Sequence, residues 1–531
     1  MVNITIIVLL LFGLAFLRIL SNRFKFPLPI ALVLGGVCIS LIPGLPVIEL
    51  RPDVVFLLFL PPLLYEASWK AGWHEFKTNI RPISLAAVGL VLFTTILVGV
   101  AAYYLIPDIS WPTAFLIGAI VSPPDAIAAT AVTKGLGLHP RIVSILEGES
   151  LVNDASGLIA YKYALVAVTA GNFVLWKAGT NFVAVALAGI AIGLAIGYIM
   201  RMVHKHLVCD PIVEATFTLL TPFASYLLAE QFHFSGVLAV VSTGLYISFR
   251  SSEIFSHQGR LISYSIWDVA VFVLNGLIFV LIGLQLRQVI KGISDYSASE
   301  LVLYGIGISL VVIVVRFLFA YPATYIPRLV SKRIRREPLD AKNVVIFGWA
   351  GMRGVVSMAA ALALPLTLPN GSPFPHRNLI LYITFCVILS TLVLLGLTLP
   401  WVIKRMKIPP YSASAEEYKV RTQLMSGMIG HIEENLSLIP GELLNNIKSK
   451  YEVKYNRLQK TDLPADYFGN GSMLNGNIFN EYTQLQIELI GVERSSLREM
   501  HLAGHTSEAV VRKIEHELDL EETRLKMEMY N

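Results

Sequence analysis

The sequence predicts an all-α polytopic membrane protein of about thirteen transmembrane helices. Two inverted repeats with crossed, broken helices are expected within it, followed by a helical cytoplasmic region. Three observations lead there. Of 531 residues, 55% are hydrophobic and only 15% charged, where a soluble domain carries nearer a quarter. Apolar runs of membrane-crossing length follow one another from Ile4 to Ile403. Beyond Pro409-Pro410 the chain turns charge-rich with no such run, which sets a membrane domain at 1–410 and a tail at 411–531.

In order, the expected spans are Ile4–Leu20, Pro27–Ile42, Val54–Ser68, Ile83–Ile106, Pro112–Thr133, Arg141–Ala170 and Phe182–Val203. Ile212–Gln231, Ser235–Phe249, Ile266–Leu286, Leu301–Ile326, Asn343–Leu366 and Asn378–Ile403 complete the set. Lys and Arg alternate between their connections. Arg18 and Arg23 follow the first span, Lys70 and Lys77 the third, Arg328 to Arg336 the eleventh, and Lys404 to Lys407 the last. The intervening loops, such as Ile106–Trp111, are nearly free of them. Basic loops stay in the cytoplasm, so the N-terminus is expected outside and the C-terminus inside. The first span begins almost at Met1 without a basic stretch ahead of it, which favours a retained helix over a cleaved signal.

The tail carries helical stretches at Glu416–Leu438 and Glu481–Met529, separated by a Gly/Asn/Ser-rich segment around Asp462–Asn477. Val510–Met527 is amphipathic. Packing or oligomerisation explains this, and a regulatory module is the sharper alternative. The tail is mildly acidic, which argues against a nucleic-acid partner. Cys38, Cys209 and Cys386 have no metal spacing. No Gly-rich phosphate loop or nucleophile motif stands out, so an enzyme is disfavoured and no cofactor is expected.

The charges that do enter apolar spans mark function. A charge at the bilayer centre costs about 2.5–3.5 kcal/mol on insertion scales, yet Glu147, Glu149 and Asp154 fall in one span. Ser150 and Asp154 lie four apart on one helix face, as do Glu149 and Asn153. A hydroxyl and a carboxylate together offer hard oxygen ligands for a small alkali cation. The same carboxylate oxygens take either a proton or a cation, and that competition is the core of an exchanger. Asp125 follows Pro123-Pro124 inside an apolar run. Two prolines free backbone carbonyls as cation ligands, which is tolerated only beside a cavity.

Gly351-Met352-Arg353-Gly354 interrupts the twelfth span, seven spans after the Pro-Pro-Asp break. An odd offset makes the two cross in opposite directions, the pattern of inverted repeats. Arg353 there compensates charge or half-helix dipoles. Arg316 in the eleventh span is the candidate partner of Glu149, in a structural role. Glu66 reads equally as a cation-attracting residue at the cytoplasmic mouth or as an ordinary interfacial glutamate. The histidines at span edges, His139, His204, His206, His233 and His257, are taken as interfacial.

Gly148-Glu149-Ser150-Leu151-Val152-Asn153-Asp154 resembles the Asn-Asp motif of Na+/H+ exchangers in the monovalent cation:proton antiporter superfamily. Asp125, the run Leu60 to Glu66, Arg316 and Gly351 to Gly354 match in order, over roughly Ile4–Met406. The resemblance implies Asp154 as central carrier of Na+ or H+, with Asp125, Ser150 and a backbone carbonyl near Pro124 completing the Na+ site. It implies Asn153 as a steadying neutral group and Glu149–Arg316 as a structural ion pair. It further implies electroneutral one-for-one exchange and a homodimer whose core bundle moves against a scaffold. Sodium and pH homeostasis at the plasma membrane would follow. One departure stands out: many relatives have Thr or Val before the aspartate and proline after it, where this chain has Pro124 and Ala126. A hydroxyl ligand at 124 is thus absent, which bears on ion selectivity. A K+/H+ exchanger on the same scaffold is the nearest alternative, and a transporter-like sensor signalling through the tail another.

Overall fold

A computed structural model describes residues 4–24, 26–42, 55–133, 138–170, 175–207, 210–293, 296–330, 341–407, 413–435, 445, 447–452, 454–455, 476–504 and 506–530. Among them, the regular structure is helical except for an isolated bridge between Thr367 and Pro373. The basic run Lys332 to Arg336, Cys209 and most of the Gly/Asn/Ser-rich segment lie outside the described residues.

The chain opens with α1 (Ile4–Phe24) and α2 (Leu28–Ser40), and a π-helical turn at Val55–Phe59 leads into α3 (Leu60–Lys70). The short α4 (Trp73–Thr78) precedes α5 (Ile80–Ser84), which continues through a π-helical segment, Leu85–Leu90, into α6 (Val91–Leu105). Then come α7 (Trp111–Val121), α8 (Ala126–Thr133), α9 (Pro140–Ala170), α10 (Leu175–Leu207), α11 (Pro211–Gln231), α12 (Gly236–Ile254), α13 (His257–Leu284) and α14 (Leu286–Lys291). The long α15 (Ala298–Val330) is followed by α16 (Ala341–Trp349), α17 (Val355–Leu362) and α18 (Arg377–Ser390). A third π-helical segment, Thr391–Leu395, joins α18 to α19 (Gly396–Arg405). Among the described residues each expected span overlaps helix, with the fifth and twelfth interrupted by breaks. Six helical stretches among the described residues are long and apolar enough to cross a membrane: Ile80–Leu105, Gly179–His206, Pro211–Gln231, His257–Leu284, Ala298–Ile326 and Arg377–Arg405.

The two breaks have different origins. Ser110 caps α7, its Oγ accepting from the Thr113 amide at 3.4 Å, with Pro112 in the first turn. The helix stops at Val121 because Pro123 and Pro124 cannot donate to the preceding turn. Between α16 and α17 no proline intervenes; Gly351 and Gly354 bracket Arg353 where the helix opens.

The chain forms two compact units, the first comprising Met1–Val208, Thr216–Ile254 and Ser265–Pro410. Within it, a glycine ridge seats α12 on α10. Side chains at Gly189 and Gly193 would run into the Ser235 and Ala239 carbonyls, and one at Gly197 into the Tyr246 ring. Small residues at such spacing let helix backbones touch. Thr243 Oγ1 then donates to the Gly193 carbonyl at 2.9 Å. On its other side α12 meets α3, where Gly244 lies against Ser68 Oγ and the Tyr65 carbonyl.

The second unit holds Tyr411–Asn531 together with Cys209–Ala215 and Phe255–Tyr264, two short segments that a reading by composition had placed in the membrane domain. Its helices are α20 (Ala413–Asn435), α21 (Gly476–Leu502) and α22 (Glu508–Tyr530). Val420, Leu424, Met428, Ile490, Leu497, Ile514 and Leu518 form its apolar core. Arg260 and Asp519, both buried, pair within this unit, and Arg494 holds the same carboxylate at 2.6 Å. The stretch Glu481–Met529, which the sequence presented as one helical run, is two helices. Gly504 turns the chain with φ +76° after α21, a conformation natural to glycine past a helix end.

Candidate functional site

The two helix breaks meet. The Asp125 amide, just ahead of α8, donates to the Met352 carbonyl between α16 and α17 at 2.7 Å. Gly354 leaves no room for a side chain, since a Cβ there would lie 1.7 Å from Asp125 Oδ2. Asp125 Oδ1 in turn accepts from the Ala128 amide at 3.4 Å, in the manner of a helix N-cap. The carboxylate is therefore placed by both broken spans.

The long helix α9 supplies the other half. Asn153, fully buried, donates from Nδ2 to the Pro124 carbonyl at 3.0 Å. That carbonyl lies just ahead of α8, and the Ala128 amide, its donor in helical register, turns to Asp125 Oδ1 instead. Asn153 Oδ1 has no hydrogen-bond partner. Asp154 is buried at 8% exposure and close enough to Asp125 for the two carboxylates to interact electrostatically. The cleft formed here is too narrow to admit a water molecule. It is lined by Pro124, Leu146, Glu149, Ser150, Asn153, Arg316 and Ala350. A π-free, unbroken α9 explains why Glu149, Ser150, Asn153 and Asp154 present themselves together: two successive turns carry all four on one side.

Glu149 and Arg316 are joined by two parallel bonds, Nη1 to Oε1 and Nη2 to Oε2, each 2.9 Å. Their side chains are 2% and 1% exposed. Arg316 also donates from Nε to the Phe347 carbonyl at 2.9 Å, and its guanidinium lies 4.5 Å from the Phe347 ring centre. The pair thus connects α9, α15 and α16. Arg353 is fully buried and turned toward the C-terminal end of α7. Its Nε donates to the Val121 carbonyl at 3.0 Å, Nη2 to Ser122 at 3.5 Å, and Nη1 to Gly351. A cation is favourable at a helix C-terminus, where carbonyls point outward without intrahelical donors.

Of the residues singled out from sequence, the structure brings Pro124, Ser150, Asn153, Glu149 and Arg316 around one cleft; Asp125 and Arg353 lie at the crossing of the breaks, and neither Asp125 nor Asp154 lines that cleft. Glu66 is engaged elsewhere: Lys70 holds it at 2.6 Å and reaches Asp268 at 2.7 Å. Sequence reading missed the Phe347 carbonyl and Thr391, whose Oγ1 accepts from the Arg353 amide at 3.1 Å. A backbone carbonyl leaves no residue-type signal, and a lone threonine in an apolar span leaves a weak one.

Comparison with known proteins follows the same lines. The family described as "Sodium/hydrogen exchanger, transmembrane" matches residues 6–405. An uncharacterized Na+/H+ exchanger of Mycobacterium tuberculosis is 29% identical over 98% of this chain and 96% of its own length. A sodium, potassium, lithium and rubidium/H+ antiporter of Bacillus pumilus is 31% identical over 86% of this chain and 70% of its own. The sodium proton antiporter MjNhaP1 of Methanocaldococcus jannaschii shares the fold, with a TM-score of 0.59 at 21% identity, covering 76% of this chain and 98% of that one.

Proposed function

The chain belongs to the sodium/hydrogen exchanger family and is a cation/proton antiporter, and from that premise we propose that Na+, with Li+ as a further substrate, and H+ compete for Asp154 in alternating access. The observation that carries this reading is the meeting of two helix breaks at Asp125 against the Asn153–Asp154 turn of α9. In it, Asp154, Asp125 and Ser150 bind Na+ with the Pro124 carbonyl, and Asn153 steadies that carbonyl. When Na+ leaves, a proton neutralises the site for the return. An empty site carrying uncompensated charge crosses reluctantly, which couples the two fluxes.

Charge counting supports one-for-one exchange. Asp125, Asp154 and Glu149 face Arg316 and Arg353, so three carboxylates against two guanidinium groups leave one negative charge. One Na+ or one proton cancels it equally. Glu149–Arg316 acts as a brace, Arg353 compensates the α7 carbonyl end, and Glu66 remains at the cytoplasmic mouth, held in reserve by Lys70. The protein works as a homodimer in the plasma membrane, N-terminus outside and C-terminus inside, without a cofactor beyond its transported ions. The tail, residues 411–531, regulates or stabilises this assembly.

A second reading, K+/H+ exchange at the same site, is favoured by the potassium in the name of the Bacillus pumilus relative and by the missing hydroxyl at Pro124. Proteoliposomes holding a pH-sensitive dye separate the two: Na+, Li+ and K+ are added in turn across a pH series. Na+ and Li+ dequench the dye if the leading reading holds; a response to K+ alone replaces it. Asp154→Asn abolishes the response, and full Na+-driven proton movement in that variant would sink the site assignment.

A further inference from the structure

Thr391 sits in the last apolar span, on α18's junction with the π-helical segment Thr391–Leu395, and is fully buried. Its hydroxyl oxygen lies 2.7 Å from the Val387 carbonyl and 3.1 Å from the Arg353 amide nitrogen. A carbonyl can only accept, so the Thr391 proton goes to Val387. An amide can only donate, so the Thr391 oxygen receives from Arg353. The polarity of the hydroxyl is therefore fixed from both sides.

The opening between α16 and α17 makes this bond consequential. Arg353 follows the stretch where the helix ladder is interrupted, and its amide is satisfied across the interhelical gap. A buried amide needs an acceptor, so the Thr391 hydroxyl selects the orientation of the Met352–Arg353 peptide. That same peptide contributes the Met352 carbonyl, which receives the Asp125 amide at 2.7 Å. Its next residue carries the guanidinium that holds the Val121 and Ser122 carbonyls, just before Pro123-Pro124-Asp125. One hydroxyl thus fixes a peptide that touches the chain on both sides of the Pro-Pro break. The π-helical widening that begins at Thr391 belongs with this role, since such segments place side chains that a regular helix would turn away.

We propose that Thr391 is a positioning residue of the antiporter, setting the Met352–Arg353 peptide and through it the place of the Asp125 carboxylate. The inference rests on the reading of Asp125 as a cation ligand. Thr391 does not touch the transported ion; its influence passes through the crossing backbone. Removing the hydroxyl while keeping the shape weakens Na+ binding more than it slows turnover.

The test compares wild type, Thr391→Val, Thr391→Ser and Asp125→Asn, reconstituted as full chains in proteoliposomes. KM for Na+ and maximal rate are measured at several pH values, and thermal unfolding is followed in detergent. Thr391→Val should raise KM about tenfold, equivalent to about 1.4 kcal/mol, with a smaller change in maximal rate, a moved pH profile and near-normal unfolding. Thr391→Ser should restore wild-type behaviour. If Thr391→Val is not recovered folded, Thr391→Cys, of similar size but with a weak acceptor, takes its place with the same expected rise in KM. Wild-type KM and pH profile in the Val or Cys variant overturn the inference. Equal impairment in Ser and Val also overturns it, because Ser keeps the hydroxyl and the site would then be responding to any change of side-chain shape. Asp125→Asn keeps the two readings apart. If it impairs exchange while Thr391→Val does not, only the positioning role falls. If Asp125→Asn leaves KM for Na+ unchanged, the ligand reading falls and the route from Thr391 falls with it.

Discussion

Removing one member of the Glu149–Arg316 pair should cost more than removing both. Two bonds of 2.9 Å connect side chains that are almost wholly out of solvent. Breaking a buried pair on one side costs about 3–5 kcal/mol, largely because the remaining charge is stranded, whereas an apolar replacement of both is often neutral. The structure makes the two single losses unequal. In Glu149→Gln, Arg316 keeps the Phe347 carbonyl at 2.9 Å and the Phe347 ring at 4.5 Å, which places the cost near the lower end, about 3 kcal/mol. In Arg316→Met, Glu149 loses both bonds that the guanidinium supplies, and the cost lies near about 5 kcal/mol. The double variant, which strands no charge, should lose well less than the two single losses added together, a coupling well above the few tenths seen for independent sites. Equilibrium unfolding of the four detergent-solubilised proteins measures this cycle. Additive single losses would refute the structural-brace reasoning. So would normal stability in Glu149→Gln accompanied by selective loss of exchange, which would move Glu149 into the ion path.

Two further outcomes follow from other contacts. Gly354→Ala places a methyl group against Asp125 Oδ2, so exchange should fall about a hundredfold, the scale of an ~1 Å displacement at a reacting centre. Dye-reported flux in proteoliposomes checks it, and wild-type flux would show that the crossing yields freely. Burial, with Glu521 adding to it, pushes the Glu493 carboxyl up to about 6, against the opposing pull of Lys454, Arg421 and Lys450. Because the folded value exceeds the unfolded one, near 4.5, its contribution is fully present below about 4.5 and is lost as pH rises through about 6. That loss amounts to about 2 kcal/mol, and denaturant unfolding of the full chain, followed by a probe in the second unit, should show it. Glu493→Gln should flatten that part of the profile; an unchanged slope would remove Glu493 as its source.

The helical spans were legible because apolar length is a composition signal, and α7's end was legible because Pro123-Pro124 has only one backbone consequence. The clustering of Glu149, Ser150, Asn153 and Asp154 was legible for a similar reason, since spacing on an unbroken helix fixes a face. Contacts made by backbone atoms were not. Met352, Phe347 and Val121 enter the site through carbonyls, and any residue type carries one. The segments 209–215 and 255–264 joined the second unit against their composition because membership depends on tertiary neighbours such as Asp519. The turn at Gly504 was overlooked because a glycine near amphipathic sequence on both sides reads as a tolerated interruption.

The glycine ridge on α10 has a mechanical consequence. Helices separated by a layer of side chains can slide, because rotamers rearrange as ridges pass over grooves. Between Gly193 and the Ala239 carbonyl there is no such layer, and the Thr243 hydroxyl pins the register. Advancing either helix by one turn, about 5.4 Å, would set Gly189 or Gly197 where Gly193 now lies, so it is the Thr243 bond, not the glycine spacing, that marks the present register. Gly244 makes the same close approach between α12 and α3. These three helices therefore touch backbone to backbone, and the Thr243 bond has to break before α10 and α12 can change register.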